Sequence, residues 1–376
     1  MGSLMAVGVA ACVLLSCATA GAEDLPDQYR EPFAKSYPIR ERQHLQMKAY
    51  LDSFPAPAEE VGEATFTLDF SSPEAYERSL EPIRAHLKQQ AGWPPPKAVE
   101  NPVPRFELVA KDQVADIYRV WTEVFEGVEA YGMYMVPRDL KGKAPVIIAV
   151  HGGSGCPEAI CDLDTRINYH SFGREACKHG YIVYAPGLLM AVSYADPPDK
   201  FPEGVDYRAL GELARQKGTS TNALQVYQII EGTKAVVKAR PEADGDRVGM
   251  TGLSMGGMYT LGTVPLSPMI KVAVPSAGFG ARGLENVDRS DVTKFHTRER
   301  MSRAELAALI CPRPLMIQSG EEDTVVPLEG ARRGLPFVRQ YYEKLGVEDR
   351  IVLNVHGGGH VFENEAIFAF FDKHLR

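Results

Sequence analysis

The stretch that decides the fold runs from Arg247 to Gly257 and reads RVGMTGLSMGG. Its first five residues are typical of a buried β-strand, and the pattern Gly-x-Ser-x-Gly, centred on Ser254, follows directly. A nucleophilic serine between a strand and a helix stands in a sharp, strained turn. Glycines two positions away on each side, Gly252 and Gly256, leave room for the neighbouring backbone. The stretch therefore predicts a strand–turn–helix unit with Ser254 at its tip.

The chain on both sides of this stretch alternates short apolar runs with segments of helical length. The predicted strands are 114–125, 130–136, 145–150, 181–184, 247–251, 272–274, 314–318 and 351–355. The predicted helices are 169–179, 220–239, 330–345 and 363–374. This alternation is typical of a mostly parallel sheet with helices on both faces. The sequence therefore predicts one α/β domain over residues 105–376.

The first 22 residues contain no charged side chain, and their apolar run is too short for a membrane span. Small residues at Ala20 and Ala22, before Glu23, form the A-x-A pattern of a signal-peptidase site. We therefore expect residues 1–22 to be a signal peptide and the chain to be periplasmic or secreted, with no membrane span after processing. Lipoprotein processing at Cys17, which leaves a lipid anchor, stays open as the alternative.

Residues 23–104 are polar and rich in proline, and they carry no catalytic motif. A helical stretch is predicted over 72–90, and three consecutive prolines at 94–96 cannot continue a helix. We expect an N-terminal helical extension that joins the α/β domain through an extended segment.

Composition restricts the kind of protein. Of the 376 residues 45% are hydrophobic and 24% are charged, which allows a sizeable core and argues against general disorder. The formal net charge is −8, without a block of Lys or Arg that could follow a phosphate backbone. Nucleic acid is therefore not an expected partner, and a small or neutral ligand fits better.

Four cysteines remain after residue 22. Cys156 and Cys161 lie five positions apart in a loop rich in Gly and Pro, so a disulfide between them is the preferred pairing in an exported protein. Two buried free thiols are the alternative. We expect Cys177 and Cys311 to act as small packing residues.

A second motif, HGGSG at residues 151–155, follows the predicted strand 145–150. When a carbonyl oxygen becomes an oxyanion, backbone N–H groups must already point at it, and a glycine-rich loop can supply them. The expected donors are the N–H of Met255, which follows the nucleophile, and that of Gly153 or Ser154. His151 is expected to be a structural part of this loop.

A third motif, SGEEDTVVP at residues 319–327, follows the predicted strand 314–318. A carboxylate here can hold an imidazole in the correct tautomer and stabilise the imidazolium. Asp323 is preferred because it directly precedes the Thr-Val-Val-Pro at which ordered chain resumes. Glu321 and Glu322 are expected at a solvated loop edge.

The fourth motif, HGGGHVF at residues 356–362, lies between the last strand and the last helix. Two histidines four positions apart bind zinc when a helix brings both rings to one face, but three consecutive glycines oppose that helix. No metal site and no organic cofactor are therefore expected. His360 is preferred as general base, with His356 as a packed or hydrogen-bonded neighbour.

The order of the motifs, a glycine loop followed by Ser254, Asp323 and His360, matches the α/β-hydrolases. Over residues 105–376 the chain resembles dienelactone-hydrolase-like and acetylxylan-esterase-like bacterial esterases. The residues that carry this resemblance are 252–259, 151–153 and 359–362. The resemblance implies a serine hydrolase that cleaves carboxylic esters, including acyl esters on carbohydrates, through a Ser-His-Asp triad and an acyl-enzyme. One departure is clear. The resemblance implies a cysteine at the nucleophile position of dienelactone hydrolases proper, whereas this chain has Ser254 at that position.

Two other functions stay open. A single-domain serine aminopeptidase or amidase is compatible with the same motifs, although residues 23–104 are too few for the β-propeller of larger relatives of that kind. A non-catalytic binding protein is disfavoured because every catalytic position is filled.

Substrate specificity is expected from the long segments 187–218 and 279–295. In the second segment Arg282 is a candidate for contacting an anionic or sugar group, with a surface salt bridge as the alternative. Tyr259, in the helix after the nucleophile, is a further substrate-binding candidate.

Overall fold

The structure is a computed structural model that describes residues 25–55, 60–153, 155–165, 167–189, 207–287 and 291–376. The predicted signal peptide, with Cys17, and the predicted oxyanion residue Ser154 lie outside the described residues.

The described residues form eleven strands and eleven α-helices. The strands are β1 (Ala64–Thr67), β2 (Arg105–Lys111), β3 (Ala115–Phe125), β4 (Val128–Pro137), β5 (Ala144–Val150), β6 (Ile182–Pro186), β7 (Ala243–Leu253), β8 (Ile270–Ser276), β9 (Lys294–Thr297), β10 (Leu315–Gly320) and β11 (Ile351–His356). The helices are α1 (Tyr37–Asp52), α2 (Pro73–Ser79), α3 (Glu81–Gln90), α4 (Pro157–Ile160), α5 (Phe172–Lys178), α6 (Tyr207–Gln216), α7 (Thr221–Ala239), α8 (Met255–Thr263), α9 (Arg303–Ala308), α10 (Leu328–Lys344) and α11 (Asn364–Leu375).

Nine of these strands form one sheet in the order β11-β10-β8-β7-β5-β6-β4-β3-β2. Neighbouring strands pair in parallel through the part β11-β10-β8-β7-β5-β6, whereas β2, β3 and β4 pair antiparallel along the other edge. The predicted mostly parallel sheet is confirmed, and all eight predicted strands are present. The sequence did not predict β2, because this edge strand carries exposed residues such as Leu108 in place of a buried apolar run.

Helices cover both faces of the sheet, as predicted. Every residue of β5 is buried, and its side chains alternate between two apolar clusters. Ile148 faces the cluster that contains Ile229 of α7, whereas Ile147 faces the cluster that contains Phe172 of α5 and Phe371 of α11. This burial on both faces explains why such central strands appear in the sequence as continuous apolar runs.

The N-terminal region packs directly on these layers. Helix α1 lies against β4, and α2 and α3 add Tyr76 and Ile83 to the same cluster as α7. The region also contains β1, which pairs antiparallel with β9. Neither of these two short strands was predicted, because each pairs with a segment more than 200 positions away and has no local periodicity of its own.

The cysteines correct one sequence-based expectation. Cys156, Cys161, Cys177 and Cys311 are buried free thiols, so the preferred disulfide between Cys156 and Cys161 is wrong. The helix α4 lies between those two residues, and both side chains pack into the apolar cluster of α5 and α11. Burial raises the pKa of both thiols, which favours the neutral packing role.

Among the helices of the described ranges, none has the length and apolar character needed to cross a membrane.

Candidate active site

The turn between β7 and α8 carries Ser254. Its backbone has φ 58° and ψ −112°, a conformation that non-glycine residues seldom adopt and that is often found at functional sites. The Ser254 N–H donates a hydrogen bond of 2.8 Å to the Ser276 carbonyl oxygen at the end of β8. The predicted strained strand-to-helix turn is therefore present, and the neighbouring strand holds it.

The glycines around Ser254 are required by close backbone contacts. A Cβ atom at Gly252 would lie 2.3 Å from the carbonyl group of Gly256. A Cβ atom at Gly256 would lie 2.1 Å from the Val150 oxygen, at the end of β5. Both distances are far below van der Waals contact, so the turn can form only with glycine at these positions.

Asp323 and His360 are joined directly. Nδ1 of His360 lies 2.8 Å from Oδ2 of Asp323, whose side chain is fully buried. The second oxygen, Oδ1, accepts the N–H groups of Val325 and Val326, each at 2.8 Å. A carboxylate that accepts from Nδ1 places the proton there and leaves Nε2 free to accept another proton.

The two loops that carry these side chains also touch through their backbones. The N–H of Glu321 donates to the His356 oxygen at 2.8 Å, and the N–H of Glu322 donates to the Gly358 oxygen at 3.1 Å. Both glutamates are exposed. Of the three neighbouring carboxylates, the structure thus brings Asp323 to the imidazole of His360.

His356 lies beside this pair in a different role. Its Nδ1 accepts the Gly358 N–H at 3.2 Å, and burial lowers its pKa. It is therefore a neutral, hydrogen-bonded neighbour. Within the described ranges, no group of three or more His, Cys, Asp and Glu side chains is arranged to hold a metal ion.

The loop after β5 is held by His151 and Tyr169. Nδ1 of His151 donates to the Gly152 oxygen at 2.7 Å, and its Nε2 accepts the Leu188 N–H at 2.9 Å. The Gly152 N–H donates to the Tyr169 hydroxyl at 2.9 Å. Burial lowers the pKa of His151 to about 4, so this imidazole is neutral and structural.

The two described candidates for the oxyanion hole lie side by side. A Cβ atom at Gly153 would lie 3.5 Å from Cε of Met255. Apart from bonds inside helices and strands, neither backbone N–H donates to another described backbone oxygen. Both N–H groups can therefore donate hydrogen bonds to a ligand oxygen at the N-terminal end of α8.

Tyr259 and Arg282 have contrasting environments. Tyr259 is 7% exposed and its hydroxyl donates to Oδ1 of Asn222, so it is largely engaged within the protein. Arg282 is exposed and forms no ion pair with any described residue, so the surface salt bridge considered for it is not found. Burial, and then the charge of Arg282, lower the pKa of Arg303.

Ser254, Asp323 and His360 follow β7, β10 and β11, whose carboxyl ends lie at one edge of the sheet. The Ser254 hydroxyl makes no hydrogen bond to another described residue. Sequence analysis did not identify Tyr169 or Gln318 as parts of this site. For Gln318 a signal existed, since a polar amide directly follows the apolar run of residues 315–317.

This fold and these residues define an α/β-hydrolase. Residues 132–365 match the dienelactone hydrolase family, which is more than half of the chain. The chain therefore belongs to the dienelactone hydrolase family, and the expected class of enzyme, a hydrolase of the carboxylic-ester type, is confirmed at the level of the family.

Individual proteins show the same similarity. YtaP of Bacillus subtilis (strain 168), designated a hydrolase, is 28% identical over 244 residues, which are 61% of this chain and 78% of that protein. A protein of Bacteroides fragilis NCTC 9343, designated an acetyl xylan esterase, superimposes with a TM-score of 0.63 at 15% identity, covering 86% of this chain and 93% of that chain. A glucuronoyl esterase of Caldicellulosiruptor kristjansonii superimposes with a TM-score of 0.51 at 17% identity, covering 86% and 91%. At these identities the two structures support the fold.

Proposed function

We propose that this protein is an exported serine esterase that cleaves carboxylic esters through an acyl-enzyme. Ser254 is the nucleophile, His360 the general base and Asp323 the carboxylate that orients it. The observation that carries the proposal is the 2.8 Å contact between His360 Nδ1 and Asp323 Oδ2, at the same sheet edge as the strained turn of Ser254.

The proposed reaction has two steps. Oγ of Ser254 attacks the ester carbonyl carbon while Nε2 of His360 takes the hydroxyl proton. The N–H groups of Met255 and Gly153, with Ser154 as the other predicted donor, stabilise the oxyanion. Collapse of the tetrahedral intermediate breaks the bond to the alcohol, which receives the proton from His360. Water, deprotonated by His360, then attacks the carbonyl carbon of the acyl-enzyme. The bond from that carbon to Oγ of Ser254 breaks, Oγ takes the proton back from His360, and the acid leaves.

In this proposal the hydrogen bond between Ser254 and His360 forms when the substrate is bound. Catalytic hydrogen bonds are often long or poorly aligned before substrate binds and shorten when it is present. Burial of Asp323 and its two backbone donors keep the carboxylate fixed while the histidine receives the proton.

For the substrate we propose acyl esters on carbohydrates. Acetyl xylan and glucuronoyl esterases among the structural neighbours support this choice. The exposed guanidinium of Arg282, which has no carboxylate partner within the described chain, supports a contact with an anionic or sugar group. The uncharged segment at residues 1–22 supports export, where such polymers occur.

The test compares Ser254→Ala with Ser71→Ala, a change of an exposed serine between β1 and α2. We expect Ser254→Ala to lower kcat on p-nitrophenyl acetate by about 10⁶-fold and to abolish labelling by a fluorophosphonate probe. Ser71→Ala should leave both unchanged. Turnover retained in purified Ser254→Ala excludes Ser254 as nucleophile.

A panel of acetyl to long-chain esters, acetylated xylan and aminoacyl amides then tests the substrate. Hydrolysis of esters, with acetylated xylan among them, supports the proposal. Faster turnover of the aminoacyl amides supports the peptidase alternative.

A further inference from the structure

Gln318 lies in β10 with 1% of its surface exposed, and its amide makes four hydrogen bonds. Oε1 accepts the hydroxyl of Ser276 at 2.6 Å and the N–H of Glu363 at 3.1 Å. Nε2 donates to Oδ1 of Asn354 at 3.1 Å and to the backbone oxygen of Glu363 at 2.9 Å. Every donor and acceptor site of the amide is therefore used.

The orientation of this amide is fixed by the backbone of Glu363. That residue offers one N–H and one carbonyl oxygen to the same side chain. A flipped amide would place Nε2 against the N–H of Glu363 and Oε1 against its carbonyl oxygen, so only one orientation fits. The amide thus binds both backbone polar groups of Glu363, its N–H and its carbonyl oxygen.

The partners of Gln318 form a row across the sheet. Ser276 of β8 and Asn354 of β11 are its register partners, and Leu253 of β7 is the register partner of Ser276. Ser276 also accepts the N–H of Ser254 through its carbonyl oxygen. One buried side chain therefore links the strand that anchors the proposed nucleophile to the chain that follows the proposed base.

The loop that carries His360 needs such an anchor. Three glycines at 357–359 leave its backbone with wide conformational freedom. Before His360 the loop is held by the N–H of Glu322, which donates to the Gly358 oxygen. After His360 it is held at Phe362, whose N–H donates to the Asn168 oxygen, and at Glu363, which Gln318 binds. Glu363 also caps the first turn of α11 through its own carboxylate.

We infer that Gln318 is a positioning residue of the proposed site: its amide ties Glu363, three residues after His360, to Ser276, and so fixes the separation of His360 from Ser254. This inference rests on the proposed function. A buried glutamine that only completes the hydrogen bonding of the core would stabilise the fold without changing the chemistry of His360.

The experiment compares Gln318→Met, which keeps the length of the side chain and removes all four hydrogen bonds, with Gln43→Met. Gln43 is also buried, and its amide donates to the Glu129 oxygen at 3.0 Å, on the side of α1. For each variant the measurements are kcat and KM on p-nitrophenyl acetate, the pH profile of kcat/KM, and the fraction of sites titrated by the fluorophosphonate probe.

For Gln318→Met we expect kcat per titrated site to fall by about 10- to 100-fold, since a misplacement of about 1 Å can cost this much. KM should stay nearly unchanged. The acidic limb of kcat/KM should move to lower pH, because a displaced imidazolium loses part of its stabilisation by Asp323. Gln43→Met should change none of these quantities per titrated site.

The inference is overturned if folded Gln318→Met keeps the wild-type kcat per site and the wild-type acidic limb. A loss of activity that follows only the loss of titrated sites also overturns it, because it indicates a purely structural role. If Gln318→Met does not fold, Ser276→Ala, which removes one of the four bonds, should give smaller changes in the same direction, and no change would overturn the inference. The proposed function has a separate test: labelling and turnover retained in Ser254→Ala would exclude it, whatever Gln318→Met shows.

Discussion

The two oxygens of Asp323 contact different groups: Oδ2 lies 2.8 Å from Nδ1 of His360, and Oδ1 accepts the N–H groups of the two valines that follow. The backbone bonds fix the plane of the carboxylate, so the imidazole meets an oxygen that is already oriented. A buried carboxylate held in this way specifies the tautomer of the histidine.

Asp323→Asn should lower kcat on p-nitrophenyl acetate by about 10³- to 10⁴-fold, because an amide can donate to Nδ1 and favour the wrong tautomer. Glu322→Gln, a change of an exposed carboxylate one position earlier, should leave kcat unchanged. Steady-state kinetics on both purified variants checks this. Equal losses in the two variants would contradict the assignment.

Gly256→Ala should destabilise the protein by about 3 kcal/mol or more, because its Cβ would lie 2.1 Å from the Val150 oxygen. Gly262→Ala in the same helix is the matched control, since the nearest atom apart from the helix's own backbone, Cγ2 of Val226, would lie 3.5 Å from the added Cβ. That variant should be neutral or stabilised by roughly 0.5–1 kcal/mol. Urea unfolding measures both. Similar free energies of unfolding for the two variants would show that the close approach can relax.

The buried imidazole of His151 should make the protein sensitive to acid. Its pKa is lowered from 6.5 to about 4 by burial, so below about pH 6.5 the unfolded chain binds a proton that the folded protein does not. The free energy of unfolding should therefore fall by up to about 3 kcal/mol as the pH drops from 6.5 to 4.

Urea unfolding of wild type and His151→Gln over this pH range tests that expectation. The difference between the two free energies of unfolding should narrow as the pH falls. A constant difference for His151→Gln would mean that this histidine does not carry the pH dependence.

The cysteines should titrate as four free thiols. In a chain that begins at residue 23, a thiol reagent should react slowly with the native protein, because all four side chains are buried. After unfolding without reductant, it should react with all four. A count of two would restore the disulfide between Cys156 and Cys161.

Arg282→Ala should raise KM about 3-fold for an acetylated xylo-oligosaccharide that carries a uronate, because an exposed ionic contact is worth little. KM for the neutral oligosaccharide should not change. Arg300→Ala removes an equal charge from a side chain that is 89% exposed and should affect neither substrate. An equal rise of KM for both oligosaccharides would argue against recognition of the anion.

The sequence predicted the central strands well because they are buried on both faces. β5 and β6 are continuous apolar runs, and such runs are visible without knowledge of their neighbours. By contrast, β1 and β9 are short strands whose pairing joins distant segments. The disulfide prediction failed for a related reason, because spacing alone does not reveal the helix between two cysteines.

By itself, the sequence determined the strand-to-helix position of Ser254 and the order of the motifs, because close backbone contacts permit only glycine around the turn and because strand ends carry the functional loops. Only the tertiary structure decided which carboxylate meets His360, and which buried amide holds the loop behind it. Those contacts join β8, β10, β11 and the start of α11. Their distances depend on the register in which the strands pair, and no local sequence pattern encodes that register.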